Sequence, residues 1–327
     1  MSLRLPTGGR LIDRTAPLSF TFNGKTLTGF AGDTLASALL GSDRMLVGRS
    51  FKYHRPRGIV ARGVEEPNAL VNLGRGPFFE PNQRATVTAL TDGMEAESQN
   101  HWPSLDHDIG AVNQVLARAL PAGFYYKTFI HPRPFWKHVF EPFIRQSAGL
   151  GRAPAEADGD TYEHLHAFCD LLIVGGGVAG LQAALVAGAA GARVFLIEQN
   201  GQWGGRAPVD GAEIDGMAAA DWVATALARL DAMPGVTRRA GVQASGVYDH
   251  GYVLATEATP GHVPGDGRSR ARLWRIRTRQ ILVATGAIER PLSFAGNDVP
   301  GVMLAGAVRD YLADFAVAAG RRTVVVT

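Results

Sequence analysis

Residues 175–180 follow the pattern G-x-G-x-x-G, whose glycine spacing indicates a specific chemistry. The first glycine of this pattern permits a tight turn, the second lets main-chain amides approach a diphosphate, and the third lets a helix pack closely on a strand. The free amides and the positive end of the helix dipole attract phosphate charge. We therefore predict that the cofactor-binding residues include Gly175, Gly176, Gly177, Val178, Ala179 and Gly180.

The elements around this pattern have the order that dinucleotide binding needs. Residues 170–174 form an apolar run typical of a buried parallel strand, residues 178–190 predict a helix, and residues 193–197 predict a second strand. Glu198 follows that strand, where its carboxylate can accept hydrogen bonds from ribose hydroxyls, and Gln199 lies beside it. An acid there favours NAD or FAD over NADP, and the pattern leaves the choice between NAD and FAD open. The alternative is a glycine-rich turn that binds nothing.

Two later segments are predicted to approach the same cofactor. The loop after Glu198 contains Gly204, Gly205 and Arg206, and a predicted strand at 281–283 is followed by Ala284, Thr285 and Gly286. Both positions resemble segments that approach the dinucleotide in flavoprotein disulfide reductases. Taken alone, residues 284–286 are equally typical of an ordinary turn after a strand.

Other residue clusters indicate weaker chemistry. Residues 49–57 combine five basic side chains with Phe51 and Tyr53, which suits nucleic-acid phosphates and bases, a loop packed by its aromatic residues, or cations facing the acidic surface of a partner. We predict no nucleic acid. In a predicted strand, His164 and His166 lie on one face and Cys169 lies on the other, so we predict no metal site. The sequence identifies no catalytic nucleophile, which leaves redox chemistry carried by a cofactor.

Composition excludes several classes of protein. The 327 residues are 46% hydrophobic with a formal net charge of +3, which is typical of a globular chain rather than a disordered one. The single cysteine cannot form an intrachain disulfide or supply the thiolates of an iron–sulfur cluster. We find no signal-peptide pattern at the N-terminus and predict a soluble, cytoplasmic protein.

The predicted fold class is α/β. Residues 1–100 predict a small β-grasp (ferredoxin-like) domain: a hairpin turns at Asn23-Gly24, a helix capped by Asp33 or Thr34 follows, and further strands lie at 46–47 and 85–90. Residues 101–165 predict a connector that is helical up to Pro121 and then rich in aromatic residues broken by prolines.

Residues 166–327 predict a Rossmann-type FAD/NAD-binding domain with a parallel sheet and a β-meander. A helix at 217–230, meander strands at 243–248, 252–257 and 273–277, and a helix at 302–319 complete it. The chain stops inside a predicted buried strand at 322–327, so we expect this domain to be truncated at its C-terminal end.

Several segments resemble the alpha subunit of heterotetrameric sarcosine oxidase. The resemblance is carried by residues 31–40, 63–69 and 284–291 and most specifically by Phe51-Lys52-Tyr53-His54-Arg55-Pro56-Arg57-Gly58, and it extends over essentially the whole chain. It implies oxidative demethylation of sarcosine to glycine, with formation of H2O2 and one-carbon transfer to tetrahydrofolate, by an oxidoreductase acting on CH-NH donors.

The resemblance also implies partners and cofactors. It places beta, gamma and delta subunits beside this chain, NAD in the alpha subunit, FMN at a shared interface and FAD in the beta subunit. It makes this chain the first third of a longer polypeptide, inactive without its partners. The N-terminal domain resembles ferredoxin-type cluster domains, but residues 65–68 replace the expected cysteines, so we predict no iron–sulfur cluster.

Two alternatives remain open at this point. The chain could be the alpha subunit of a related amine or opine dehydrogenase that receives electrons from a partner. It could also be a non-catalytic scaffold in which NAD only stabilises the fold. Bound NAD that no substrate reduces would favour the scaffold.

Overall fold

The computed structural model describes residues 2–119, 123, 129, 131–148 and 151–326. Its contacts divide the chain into two compact units. The N-terminal unit comprises Met1–Asp158 together with Glu289–Thr327, and the dinucleotide-binding unit comprises Gly159–Ile288. The domain boundaries at 100/101 and 165/166 remain predictions. Residues 289–327, which we assigned to the dinucleotide-binding domain, pack with the N-terminal unit instead.

The N-terminal unit contains seven strands among its described residues: β1 (Asp13–Phe22), β2 (Lys25–Ala31), β3 (Gly48–Arg49), β4 (Pro56–Arg57), β5 (Leu70–Leu73), β6 (Glu80–Arg84) and β7 (Met94–Ser98). Five of them form a mixed sheet in the order β2-β1-β7-β5-β6, in which β1 and β7 are parallel. The predicted hairpin is confirmed, because Asn23 and Gly24 turn with positive φ between β1 and β2. The sheet and its single early helix are the arrangement expected of a β-grasp fold.

The helix of this sheet is α1 (Leu35–Gly41). Thr34 caps it as predicted: the Ser37 amide donates to the Thr34 hydroxyl at 3.2 Å, and the Thr34 amide donates to the Ser37 hydroxyl at 2.9 Å. Leu35 and Leu39 have no exposed surface and pack into the core of the unit. The predicted apolar stripe is therefore the face that fixes α1 to the sheet.

The predicted strand at 85–90 is wrong. The carbonyls of Ala85 and Thr88 instead accept the amides of Ala36 and Leu35 at 2.9 Å each, so this segment satisfies the free first turn of α1. The strand that pairs with β1 on the side opposite β2 is β7, which was not predicted.

The predicted helix at 109–120 is also wrong in type. The described residues form two 3₁₀ turns, Ile109–Gln114 and Ala117–Ala119, and Val115 is 83% exposed. Residues 124–126 of the predicted aromatic run lie outside the described residues. Further along, α2 (Arg133–Phe135), a π-helical turn (Trp136–Phe140) and α3 (Glu141–Ala148) follow one another, with Pro134 and Pro142 in first turns, where proline is tolerated.

The dinucleotide-binding unit contains eight strands: β8 (Thr161–Val174), β9 (Val194–Glu198), β10 (Glu213–Ile214), β11 (Met217–Ala218), β12 (Val236–Ala240), β13 (Val242–Tyr248), β14 (Tyr252–Ala258) and β15 (Ser269–Val283). Six form a sheet in the order β12-β9-β8-β15-β14-β13. The first four are parallel and the last three form an antiparallel meander, so the predicted parallel sheet with a meander is confirmed. The two strands predicted at 273–277 and 281–283 are one strand, β15.

Three helices accompany this sheet: α4 (Val178–Ala189), α5 (Ala207–Asp210) and α6 (Ala219–Asp231). Leu181 and Leu185 of α4 and Trp222 of α6 pack with β8 and β9 in one buried cluster. This cluster fixes the start of α4 against the end of β8.

The C-terminal prediction is partly wrong. The helix α7 spans Ala305–Phe315 in the N-terminal unit, and it ends at Ala316 in a left-handed conformation rather than at Gly320. Residues 322–326 form no strand, and Val324 is 87% exposed, because no neighbouring strand pairs with this apolar run. Among the described residues, none of the helices combines the length and apolar character required to cross a bilayer.

Candidate dinucleotide-binding site

The predicted turn lies where β8 ends and α4 begins. Leu172 and Ile173 are fully buried, and β9 pairs in parallel with the end of β8, so the position of the turn is fixed by the sheet. Gly177 is the N-cap of α4, and its carbonyl accepts the amide of Leu181 at 2.9 Å. The free amides of the first helical turn therefore lie at the carboxyl edge of the parallel strands, where open α/β sheets bind ligands.

Gly175 and Gly180 are required by sterics within the chain. Gly175 has a φ of +112°, and a β-carbon there would collide with the carbonyl of Ala284. A β-carbon at Gly180 would collide with the carbonyl of Gly175. The first glycine thus permits the turn and the last permits close contact between helix and strand, as the pattern implies.

Gly177 differs, because nothing within the chain requires it. Its φ is −71°, an ordinary value, and no atom lies within 4 Å of the position that a β-carbon would occupy. The space over this residue is open at the positive end of α4, beside the helix residues Val178 and Ala179. A diphosphate needs such a space in order to reach the main-chain amides.

The loop after β9 lies against the same turn. A β-carbon at Gly176 would be 2.5 Å from the Trp203 ring, and the carbonyl of Gly176 accepts the amide of Gly204 at 2.8 Å. A β-carbon at Gly205 would be 3.4 Å from the α-carbon of Gly177. Arg206 follows with an exposed side chain. The structure thus brings the predicted residues 204–206 to the glycine turn.

Glu198 lies at the end of β9 and is only 6% exposed. Its Oε2 accepts the amide of Gly176 at 2.7 Å, and its Oε1 accepts the main-chain and side-chain nitrogens of Asn200 at 2.8 and 2.9 Å. Asn200 occupies both lone pairs of Oε1, and Oε2 keeps acceptor capacity for a ribose hydroxyl. The neighbouring Gln199 is exposed.

The segment after β15 completes one side of the turn. The amide of Ala284 donates to the carbonyl of Val174 at 2.8 Å, which continues the pairing of β15 with β8. Thr285 and Gly286 are exposed, and Gly286 has a φ of +71°. Ala284 therefore contacts the glycine turn directly, whereas the next two residues extend from it.

Sequence reasoning missed three residues beside this site. Asn200 orients the Glu198 carboxylate, Trp203 packs on the glycine turn, and the guanidinium carbon of Arg238 lies 5.4 Å from the centre of the Trp203 ring. Asp231 holds Arg238 through two hydrogen bonds, which lower the pKa of the Asp231 carboxyl. Arg238 could have been found only by recognising β12, which supplies it.

The weaker candidate clusters have structural explanations. The Arg49 guanidinium donates to the carbonyl of Leu105 at 3.0 and 2.7 Å, and Arg55 and Arg57 both pair with Asp298. These contacts agree with the packed-loop interpretation of residues 49–57.

The residues weighed as a metal site have other contacts. Nδ1 of His164 lies 3.2 Å from Nη2 of Arg275. Burial raises the pKa of the Cys169 thiol. Within the described ranges, no three His, Cys, Asp or Glu side chains are grouped so as to hold a metal ion.

One acid in the N-terminal unit is almost completely buried. Glu66 is 1% exposed. Its Oε2 accepts the amides of Val60 and Ala61 at 2.8 and 2.7 Å, and its Oε1 accepts those of Asn68 and Ala69 at 2.7 and 3.1 Å. Four amide donors therefore surround this one carboxylate and tie together two stretches of the loop between β4 and β5.

Two protein-family models match the chain. Residues 15–101 match a 2Fe-2S iron-sulfur cluster binding domain, and residues 169–326 match the family described as pyridine nucleotide-disulphide oxidoreductase. The fold is therefore α/β with an N-terminal domain of the cluster-binding type and a dinucleotide-binding domain.

The first match contradicts the prediction that the chain has no iron–sulfur cluster, which is wrong for the family of this domain. Such clusters are held by cysteine thiolates, and the one cysteine of the chain lies outside residues 15–101. The acid Glu66 and its four amides lie within these residues, in the loop between β4 and β5.

Curated relatives resemble the whole chain. It is 54% identical to the alpha chain of sarcosine oxidase from Rhizobium meliloti over 328 residues, covering 100% of this chain and 33% of the relative. It is 37% identical to the protein of the same name from Corynebacterium sp. strain P-1, covering 100% of this chain and 30% of that one. The chain thus spans about a third of the length of these relatives.

One solved structure shares the fold over most of the chain. The L-proline dehydrogenase from P. horikoshii superimposes with a TM-score of 0.60, covering 98% of this chain and 50% of that one. The identity is 21%, so this likeness concerns the fold alone.

Proposed function

The chain is homologous over its full length to the N-terminal part of sarcosine oxidase alpha subunits, and on this premise we propose that it supplies the dinucleotide-binding region of a multisubunit sarcosine oxidase. The assembly would demethylate sarcosine oxidatively to glycine, form H2O2 and pass the one-carbon unit to tetrahydrofolate. The name of the relatives implies further subunits, and we propose beta, gamma and delta partners. The chain would then be an oxidoreductase component acting on CH-NH donors only within that assembly.

One observation carries the binding site in this proposal. The space over Gly177 is open at the positive end of α4, while the acid Glu198 lies next to the same turn. Their juxtaposition is the pairing of diphosphate and ribose contacts that an adenine dinucleotide requires.

The residues of the chain would divide the binding of NAD or FAD between them. The first amides of α4, at Gly177 to Gly180, would hold the diphosphate, because they lack partners within the helix. Glu198 would accept hydrogen bonds from the adenosine ribose, in an orientation fixed by Gly176 and Asn200. Bound there, the dinucleotide would supply hydride or electron transfer.

The loop residues would shape the rest of the site. Trp203 fills the space beside Gly176 and keeps water from the back of the turn. Gly205 and Arg206 would face the phosphates, and Ala284, Thr285 and Gly286 would line the opposite side. These roles extend the site to both loops that follow parallel strands.

Identification of the bound nucleotide tests the proposal. The purified chain would be denatured, and the released small molecules would be analysed by mass spectrometry. We expect NAD or FAD in near-stoichiometric amount, or its uptake when the chain is incubated with either nucleotide. A chain that neither releases nor takes up an adenine dinucleotide would contradict the proposed function.

A second candidate function rests on a more distant relative. Over 151 residues the chain is 33% identical to one of the subunits of the opine oxidase of Agrobacterium tumefaciens, covering 43% of this chain and 28% of that one. The alternative is therefore a component of an enzyme that oxidises a related secondary amine. Reduction of the assembled enzyme by sarcosine but not by an opine, followed by absorbance, would distinguish the two.

A further inference from the structure

A cation beside the ribose acid is held by a second acid, Asp231. We propose that Asp231 sets the preference for NAD over NADP by keeping the guanidinium of Arg238 from a cofactor 2′-phosphate; this inference rests on the proposed function. Discrimination against the phosphate would then depend on two acids: Glu198, which occupies the ribose position, and Asp231, which pairs with Arg238.

Strand register places Arg238 near the ribose position. β12 pairs in parallel with β9 so that Arg238 is opposite Leu196 and Ala240 is opposite Glu198. Residues two apart in a strand share a face and are about 6.6 Å apart. Arg238 therefore lies on the same face of the sheet as Glu198. It is on the neighbouring strand, two residues before the position opposite Glu198.

Side-chain contacts link Arg238 to the glycine turn. Its guanidinium carbon lies 5.4 Å from the centre of the Trp203 ring, and that ring packs on Gly176. One aromatic side chain thus separates the cation from the turn that would hold the diphosphate. Released from its partner, the guanidinium would extend past this ring toward a phosphate on the adenosine ribose, with which it would form charge-assisted hydrogen bonds.

Asp231 opposes that change. Its Oδ1 and Oδ2 accept hydrogen bonds from Nε and Nη2 of Arg238 at 2.8 and 2.7 Å, which makes a bidentate pair. The pair orients the guanidinium toward the end of α6 and cancels its charge. A 2′-phosphate would then meet the Glu198 carboxylate without the charge of Arg238 to compensate it.

The experiment compares NAD and NADP binding to the 327-residue chain by isothermal titration calorimetry. Asp231→Asn removes the charge of the clamp and keeps its size. We expect NADP to bind about fivefold more tightly to this variant, with the affinity for NAD changed less than about twofold. Asp170→Asn is the matched control, because Asp170 holds Arg193 in a similar bidentate pair at the other end of β9; it should change neither affinity.

A double variant tests whether Arg238 is the responsible cation. Asp231→Asn combined with Arg238→Met should return the NADP affinity to that of the wild type, and circular dichroism should show the same fold throughout. An unchanged NADP affinity in Asp231→Asn, or an equal gain in Asp170→Asn, would overturn the inference. A wild-type chain that binds neither NAD nor NADP would also overturn it, although retained FAD would leave the proposed function standing.

Discussion

The two units of the chain each bury a glutamate among main-chain amides, and the two glutamates are enclosed to different degrees. Glu66 of the N-terminal unit accepts four amides and is 1% exposed. Glu198 of the dinucleotide-binding unit accepts one amide from the glycine turn and two nitrogens of Asn200, and it lies next to the open space over Gly177.

The comparison separates a structural carboxylate from a binding one. A charge buried among amides is stabilised only while its hydrogen bonds are complete. The bonds of Glu66 all lie within one loop, so its removal should affect stability. Glu198 is adjacent to a free helix N-terminus, so its removal should affect ligand binding more than folding.

Replacing Glu66 should have the largest effect. Glu66→Gln removes the charge and presents an NH2 group to amides that are themselves donors, so we expect the N-terminal unit to lose about 3 kcal/mol of unfolding free energy. Urea denaturation followed by circular dichroism would measure this loss. Glu65→Gln is the control, because Glu65 accepts only one amide, that of Gly63 at 3.3 Å. Equal losses in the two variants would remove the distinction drawn for Glu66.

Gly177→Val should abolish binding while leaving the fold intact. The side chain would enter the space that the diphosphate needs, and its β-carbon would have no neighbouring atom of the chain within 4 Å. We expect NAD or FAD affinity to fall at least a hundredfold, about 2.7 kcal/mol, with an unchanged melting temperature. Gly201→Val is the control, because Gly201 also has open space at its β-carbon position. Retained affinity in Gly177→Val would contradict the site.

Glu198→Gln should have a smaller effect, which is divided between ligand affinity and stability. We expect the affinity for NAD or FAD to fall about tenfold, because the ribose hydroxyls lose charge-assisted acceptors. The loss of stability should be about 1 kcal/mol, below that of Glu66→Gln, because fewer amides lose their acceptor. Calorimetric titration and urea denaturation of the same samples would measure both, with the exposed Glu213→Gln as control. A reversed order of the two stability losses would break the comparison.

The smallest expected effect is a pH dependence of the N-terminal unit. Burial lowers the pKa of His101 below its usual 6.5, since Nδ1 is buried without a partner. The unfolded chain therefore binds the proton more readily, and stability should be complete above pH 6.5 and fall as the pH drops below it. After solvent screening we expect a loss below about 1 kcal/mol.

Urea midpoints at pH 7.5 and 5.5 would measure that loss. His101→Asn should flatten the dependence, and the exposed His107→Asn should leave it as in the wild type. A wild-type midpoint that rises on acidification would contradict the assigned sign.

Local patterns predicted the parts of the fold that local forces determine. Asn23-Gly24 specified the first hairpin, Thr34 specified the start of α1, and residues 170–198 specified strand, turn, helix and strand. The predictions failed where a segment's partners decide its structure. Residues 85–90 bond to the first turn of α1 rather than to a strand, and residues 322–326 form no strand despite three consecutive valines.

For the site, the sequence by itself determined the glycine turn, the acid Glu198 and their order along the chain, because backbone geometry limits which residue can occupy each position. Only the tertiary structure decided that Gly177 faces open space, that Trp203 covers Gly176, and that Asp231 holds Arg238 one strand from the acid. The last of these relations depends on β12 pairing with β9, and pairing between strands distant in sequence is fixed by the packing of the whole sheet.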